Sequence, residues 1–158
     1  MDAQDKYFMQ EAINLAIAGM RNNEGGPFGA LVVKDGKIIG RGNNRVSFNN
    51  DPTAHAEIVA IRDACNNLKD FQLTDCVIYT SCEPCPMCLG AIYWARPEKI
   101  IYACTREDAA AIDFDDDFIY RELSLPMNER KIPIRQMLRS EGLKAFEEWK
   151  NKADKVQY

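Results

Sequence analysis

The chain has 158 residues, a formal net charge of −4 and 46% hydrophobic residues. This length and apolar content suit one domain with a packed core, and the acidic balance lacks the basic surface that nucleic-acid binding usually requires. Charged residues interrupt the apolar positions near the N-terminus, so we expect neither a secretion signal nor a membrane span. These features predict a cytoplasmic protein with a single domain, residues 1–158, that acts on a small molecule.

Apolar residues recur at three- and four-residue spacing from Phe8 to Met20, which predicts an amphipathic first helix. After the glycine-rich run 25–29, two apolar segments, 30–33 and 37–40, flank Asp35-Gly36. Apolar segments on either side of Asp-Gly are typical of a β-hairpin.

The dipeptide Asp51-Pro52 indicates the start of a second helix, because Asp can cap a helix and Pro is favoured at its first position. An apolar pattern continues from Ile58 to Leu68, so His55 is placed in the first turns of this helix. Alternation of strands and helices then predicts an α/β fold. The remaining predicted elements are a buried strand at 76–79, a helix from Pro84 through Trp94, a strand at 100–103, a loop at 113–118 and a final helix at 141–152.

The one histidine of the chain, His55, stands about thirty residues before the pair Cys85 and Cys88. Catalytic zinc sites use three protein ligands and leave the fourth position to water, and these three residues supply that number. Glu57 completes the pattern H-x-E with P-C-x-x-C, in which the glutamate is the acid and base and does not bind the metal. We therefore predict a catalytic Zn2+ site.

The spacing of these residues sets conditions on the fold. Cys85 and Cys88 are three apart and share one helical face, near a positive helix end that lowers the pKa of thiols. His55 and Glu57 are two apart, and such positions point about 200° apart on a helix. Their convergence therefore requires the first turn of the helix.

Other interpretations of the cysteines remain open. Cys82 extends the pattern to Cys82-x-x-Cys85-x-x-Cys88 and could supply the fourth ligand of a structural site. A redox Cys-x-x-Cys pair would leave His55 and Glu57 without a role, and a catalytically silent zinc module is a third possibility. Cys65, Cys76 and Cys104 are interpreted as packing residues.

Taken together, the motifs resemble the cytidine-deaminase-like superfamily and, within it, the bacterial-type guanine deaminases. The resemblance spans nearly the whole chain. It implies a three-layer α/β/α fold with a central mixed five-stranded sheet, one Zn2+ per chain, and a homodimer whose C-terminal segment exchanges between subunits. The stretches that carry it are Gly25–Ala30, Asn50–Glu57, Thr80–Pro97, Phe114–Asp116 and the terminal Tyr158.

The same resemblance assigns substrate contacts. Asn44 would bind the substrate ring, and a shift of one residue would move this role to Asn43. An acceptor-only carboxylate such as Asp116 suits guanine, which offers N1–H and an amino group as donors. The full set of substrate-binding residues implied is Phe28, Asn44, Trp94, Asp116 and Tyr158.

Four of the five substrate contacts also have a simpler interpretation. Phe28 and Trp94 could be ordinary packing residues. Asp116 could belong to a solvated acidic loop, and Tyr158 to a mobile chain end.

The resulting functional prediction is hydrolytic deamination of guanine to xanthine and ammonia, in purine catabolism or salvage. Glu57 would take a proton from the attacking water, which adds at C2, and would deliver protons to ring N3 and to the departing ammonia. Guanosine, cytosine and tRNA adenosine remain alternative substrates, because the zinc pattern defines the reaction more firmly than the base.

Overall fold

The computed structural model describes residues 3–158, and the chain divides into two compact units at Asp116/Asp117. None of the helices in residues 3–158 has the length and hydropathy to cross a membrane. The first unit contains α1 (Ala3–Arg21), β1 (Gly29–Lys34), β2 (Lys37–Asn43), α2 (Val46–Asn49), α3 (Ala56–Leu68), β3 (Cys76–Cys82), α4 (Pro86–Ala95), β4 (Lys99–Cys104) and α5 (Arg106–Ala110). The second contains α6 (Asp117–Ser124), a 3₁₀ turn (Met127–Glu129) and α7 (Arg139–Asn151).

The four strands form one mixed sheet in the order β2-β1-β3-β4. β1 is antiparallel to both β2 and β3, whereas β3 and β4 are parallel. The predicted mixed α/β sheet is confirmed, but the predicted fifth strand is wrong, since no residue after Cys104 in the described part of the chain belongs to a strand. In that region Ile132 and Ile134 flank Pro133, which has no N–H to donate to a ladder.

Helices cover both faces of the sheet, because successive strand side chains point to opposite sides. On one face, α1 packs against β1 and β3 through a core of Phe8, Ala12, Leu31, Val33 and Tyr79. On the other face, α3 and α4 enclose the larger core, which includes Ala30, Val32, Ala60, Ile78 and Ile92.

The predicted hairpin between β1 and β2 is confirmed. Asp35 and Gly36 both have positive φ, 49° and 70°, as the tight hairpin turns require. Beyond this turn, α3 lies close against β2: a Cβ added to Gly42 would be 2.1 Å from the carbonyl oxygen of Ala56. Asp63 of α3 also accepts a hydrogen bond from the backbone N–H of Arg41 at 2.9 Å. The first turn of α3 and the later Asp63 therefore both lie close against β2.

Two predicted helix starts are wrong. α3 begins at Ala56, with His55 as its N-cap, because Asp51 instead accepts the Thr53 N–H at 2.8 Å and forms a turn of its own. α4 begins at Pro86, with Cys85 as its N-cap, so the proline at the first helical position is Pro86 and not Pro84.

Of the predictions for the C-terminal region, the final helix is confirmed and the loop is shorter than predicted. The loop predicted at 113–118 holds only to residue 116, since α6 begins at Asp117. The final helix is present and begins two residues earlier than predicted, at Arg139. The prediction of one domain over residues 1–158 stays a prediction.

Candidate active site

Two helix N-termini bring the predicted metal ligands together. His55 and Cys85 are the N-cap residues of α3 and α4, both with extended backbone (ψ 157° and 168°). Cys88 lies in the first turn of α4, fully buried. The Nδ1 of His55 is 3.6 Å from the Sγ of Cys85, and the ligand atoms of all three residues lie within 4.8 Å of one another.

This donor set fits zinc. Tetrahedral zinc with bonds of about 2.0–2.3 Å places its ligand atoms about 3.3–3.8 Å apart, and the separation of 3.6 Å between His55 Nδ1 and Cys85 Sγ lies in that range. One imidazole and two thiols are ligands that zinc commonly takes. Three protein ligands would leave one coordination position for water or substrate.

The electrostatics of the two thiols also suit a metal. The interaction with Cys88, and after it the hydrogen bond with His55, lowers the pKa of Cys85 to about 4. The same interaction with Cys85, together with burial, raises the pKa of Cys88. Both groups would bind a metal as thiolates, so an incoming cation would displace the Cys88 proton.

Glu57 lies beside this group in the first turn of α3. It is 6% exposed, its Oε2 accepts from the Cys88 thiol at 3.4 Å, and its Oε1 accepts from the Thr80 hydroxyl at 3.4 Å. Burial raises the pKa of the Glu57 carboxyl, which suits a group that must both take and release a proton. His55 can point to the same place because, as the N-cap, it lies outside the helix.

Cys82 lies apart from the three ligands. It is buried at the end of β3, its Sγ donates to the carbonyl oxygen of Thr105 at 3.5 Å, and burial raises its pKa to about 12. Among the described residues, the group suited to a metal is His55, Cys85 and Cys88, without Cys82. This arrangement favours the catalytic interpretation over a four-ligand structural site.

Asn44 and Asn43 have different surroundings. Asn44 is 6% exposed, and its Oδ1 accepts the backbone N–H groups of Gly26 and Val46 at 3.4 and 3.2 Å. Asn43 instead donates from Nδ2 to Glu24 at 2.7 Å. Because its side chain is committed to Glu24, Asn43 is the less suitable of the two for binding a substrate.

Phe28 contacts Asn44 and Phe114. Its carbonyl oxygen accepts the Asn44 N–H at 3.0 Å, and its ring meets the Phe114 ring edge-on, with centroids 4.9 Å apart. A partly buried Asp116 follows two residues later in the chain. Burial, and then the charge of Cys85, raise the pKa of the Asp116 carboxyl.

The other two predicted contacts, Trp94 and Tyr158, are exposed. Trp94 lies near the end of α4 and exposes 65% of its surface. Tyr158 belongs to the second unit and exposes 69%. Their proposed roles remain predictions.

Sequence reasoning missed Thr80 and Ser81. Both are buried in β3, where Thr80 donates to Glu57 and Ser81 accepts the N–H of Gly29 at 3.0 Å. The available signal was a pair of hydroxyl residues ending an apolar strand, since buried polar groups need partners.

Residues 2–104 match the protein family described as the cytidine and deoxycytidylate deaminase zinc-binding region. The chain therefore belongs to this family of zinc-binding deaminases. The match covers the stretch that contains His55, Glu57, Cys85 and Cys88.

Within the family, the chain is similar to a guanine deaminase. It is 55% identical over 151 residues to the guanine deaminase of Bacillus subtilis strain 168, which covers 96% of this chain and 97% of that protein. The X-ray structure of guanine deaminase from Bacillus subtilis matches with a TM-score of 0.95 and 53% identity, covering 100% of this chain and 99% of that one. A tRNA-specific adenosine deaminase of Buchnera aphidicola is 34% identical over 151 residues, 94% of this chain and 96% of that protein.

Proposed function

We propose that this chain is a zinc-dependent aminohydrolase that converts guanine and water to xanthine and ammonia, in purine catabolism or salvage. The observation that carries the proposal is the buried Glu57 carboxylate, which contacts Cys88 within a group of three zinc-type ligands. The similarity over nearly the full length to the guanine deaminase of Bacillus subtilis supports guanine as the substrate.

His55, Cys85 and Cys88 would hold one Zn2+ per chain. Bound there, zinc would supply a Lewis acid that lowers the pKa of a coordinated water to about 7. The two thiols would bind as thiolates and offset the charge of the cation, while His55 would bind as the neutral imidazole.

Glu57 would carry the proton transfers. It takes a proton from the water that attacks C2 of guanine, delivers it to ring N3, and then assists departure of the C2 amino group as ammonia. The hydrogen bond from the Thr80 hydroxyl to Oε1 would hold the carboxylate in place for this exchange. Burial raises the pKa of Glu57. The protonated form of Glu57, which exists between the two proton transfers, is therefore easier to reach.

Asn44, Phe28 and Asp116 would bind the base. The Oδ1 of Asn44 accepts from two backbone N–H groups, so its amide N–H donors would be the atoms that it offers to acceptors of the purine ring. Asp116 would accept from N1–H and the amino group of guanine, since an ionised carboxylate is an acceptor only. Trp94 and Tyr158 are further proposed contacts, by family resemblance.

Deamination of tRNA adenosine is the second candidate. The similarity to a tRNA-specific adenosine deaminase, at 34% identity, favours it to a limited degree. The formal net charge of −4 argues against it, because phosphate binding relies on basic side chains.

We also propose a cytoplasmic homodimer in which the C-terminal segment exchanges between subunits. Its support is the resemblance to the family. Native mass spectrometry of the zinc-loaded protein would test the dimer and the metal count together, with two chains and two zinc ions expected per particle. A monomer would overturn the assembly and leave the reaction open.

The substrate is tested by following guanine, guanosine, adenine, cytosine and cytidine separately with zinc-loaded protein, with products separated by chromatography. We expect conversion of guanine to xanthine and much slower or no conversion of the others. Conversion of another base with guanine inert would overturn the substrate assignment while keeping the zinc chemistry.

A further inference from the structure

One carboxylate oxygen holds the residues on both sides of Asn44. The Oε2 of Glu24 accepts from Asn43 Nδ2 at 2.7 Å and from the Arg45 guanidinium at 3.3 Å. Asn43 and Arg45 are the immediate chain neighbours of Asn44, so a single group limits the motion of the backbone that carries the Asn44 amide.

Glu24 is itself well anchored. Its backbone N–H donates to the carbonyl oxygen of Gly19 at 3.0 Å, in the last turn of α1. Its own carbonyl oxygen accepts from the Ser47 hydroxyl at 3.4 Å. Glu24 therefore ties the segment around Asn44 to α1, the helix that packs on the face of the sheet opposite to α3 and α4.

The segment after Glu24 reaches Asn44 directly. The N–H of Gly26 donates to Asn44 Oδ1, and a Cβ added to Gly25 would lie 2.3 Å from the same oxygen. Displacement of Glu24 would therefore disturb the amide from two sides, through its chain neighbours and through the glycines that contact it.

The ion pair is partly shielded from water, which strengthens it. The Glu24 side chain is 21% exposed and that of Arg45 is 39% exposed. The Arg45 guanidinium also lies over the Phe48 ring, 5.5 Å from its centroid, which limits the positions that it can adopt. Arg45 thus presents a fixed partner to Glu24.

We propose that Glu24 is a positioning residue for Asn44, and that its carboxylate sets how well this chain binds the purine base. This inference rests on the proposed function. Within residues 3–158, the hydrogen bonds of Glu24 reach Gly19, Asn43, Arg45 and Ser47 and neither Glu57 nor the candidate metal ligands. Its effect should therefore appear in substrate binding and leave proton transfer intact.

The test compares Glu24→Ala, Asn44→Ala and the double variant in steady-state guanine turnover. Glu24→Ala should raise KM about tenfold with kcat changed less than about threefold, because the interaction affects binding in the ground and transition states alike. Glu24→Gln, which keeps an oxygen acceptor for Asn43 but loses the charge that pairs with Arg45, should fall between wild type and Glu24→Ala. Zinc content should equal that of wild type in each variant.

The double variant separates positioning from a general structural effect. If Glu24 acts through Asn44, Glu24→Ala should change kcat/KM by less than about twofold when Asn44 is already Ala, since coupled residues are not additive. Additive losses, or a loss of kcat at unchanged KM, would overturn the proposal. The control is Asp63→Ala. It removes another carboxylate that is bonded to the β1–β2 hairpin, at the N–H of Arg41, but it should leave KM unchanged.

Guanine turnover by the wild-type protein shows whether the proposed function or the role of Glu24 has failed. If wild type fails to convert guanine, the proposed function falls. If wild type converts guanine and Glu24→Ala has wild-type KM, the function stands and the role of Glu24 is wrong.

Discussion

The Cys88 thiol donates a hydrogen bond to Glu57, with Sγ 3.4 Å from Oε2. A candidate zinc ligand and a candidate proton carrier therefore touch, although they are 31 residues apart in the chain. With zinc bound at Cys88, Glu57 would lie beside the position that an attacking water takes.

Replacing Glu57 by Gln should abolish most turnover without loss of metal. The amide is close in size but cannot accept the proton, and a positioned acid or base typically contributes about 10²–10⁴-fold in rate. Guanine turnover and zinc content, measured by plasma mass spectrometry, test this together. A variant with full activity would remove Glu57 from the mechanism.

The metal content of three cysteine variants should separate ligands from neighbours. Cys85→Ala and Cys88→Ala should each lose most bound zinc, because only two protein ligands remain. Cys82→Ala should retain one zinc per chain, since Cys82 instead bonds to Thr105. Zinc loss in the Cys82 variant would favour a four-ligand structural site.

Thr80→Val should lower kcat about tenfold while zinc content stays at one per chain. The change keeps the shape of the side chain and removes the hydroxyl that donates to Glu57 Oε1; a hydrogen bond to a charged group contributes about 1.5–3 kcal/mol. Thr80→Ser keeps the donor and should restore most of the activity. Equal activity in the Val and Ser variants would show that the hydroxyl does not position Glu57.

Gly42→Ala should lower the free energy of unfolding by about 1–3 kcal/mol, because overpacking forces the backbone apart. The added Cβ would meet the carbonyl oxygen of Ala56 at 2.1 Å, in the first turn of α3. The matched control is Gly142→Ala in α7, where nothing lies within 4 Å of the added Cβ. Urea denaturation of both variants checks the prediction. Equal free energies of unfolding for the two variants would contradict the close packing of α3 on β2.

Much of the site could be predicted from the sequence because its chemistry depends on residue types at short spacing. His55, Cys85 and Cys88 were predictable as a group, since few residues bind zinc and the chain has one histidine. The way in which these three side chains converge could not be predicted. Asp51-Pro52 is a sound helix-start signal, yet Asp51 forms a turn with Thr53, and this moves His55 to the N-cap.

Contacts between distant segments were beyond the reach of periodicity. The hydrogen bonds of Thr80 to Glu57 and of Glu24 to Asn43 join residues 23 and 19 positions apart, and no local pattern signals either pair. The five-stranded sheet was an expectation from family resemblance, and the segment with Pro133 does not provide the additional strand.

The most direct measurement is the stoichiometry of the reaction of zinc-loaded wild type with guanine, followed by ultraviolet absorbance and an ammonia assay. We predict one xanthine and one ammonia formed for each guanine consumed, with no turnover after a chelator removes the zinc and recovery when zinc is returned. Guanine left unchanged by protein with a full complement of zinc, or turnover that survives complete removal of the metal, would contradict zinc-dependent guanine deamination.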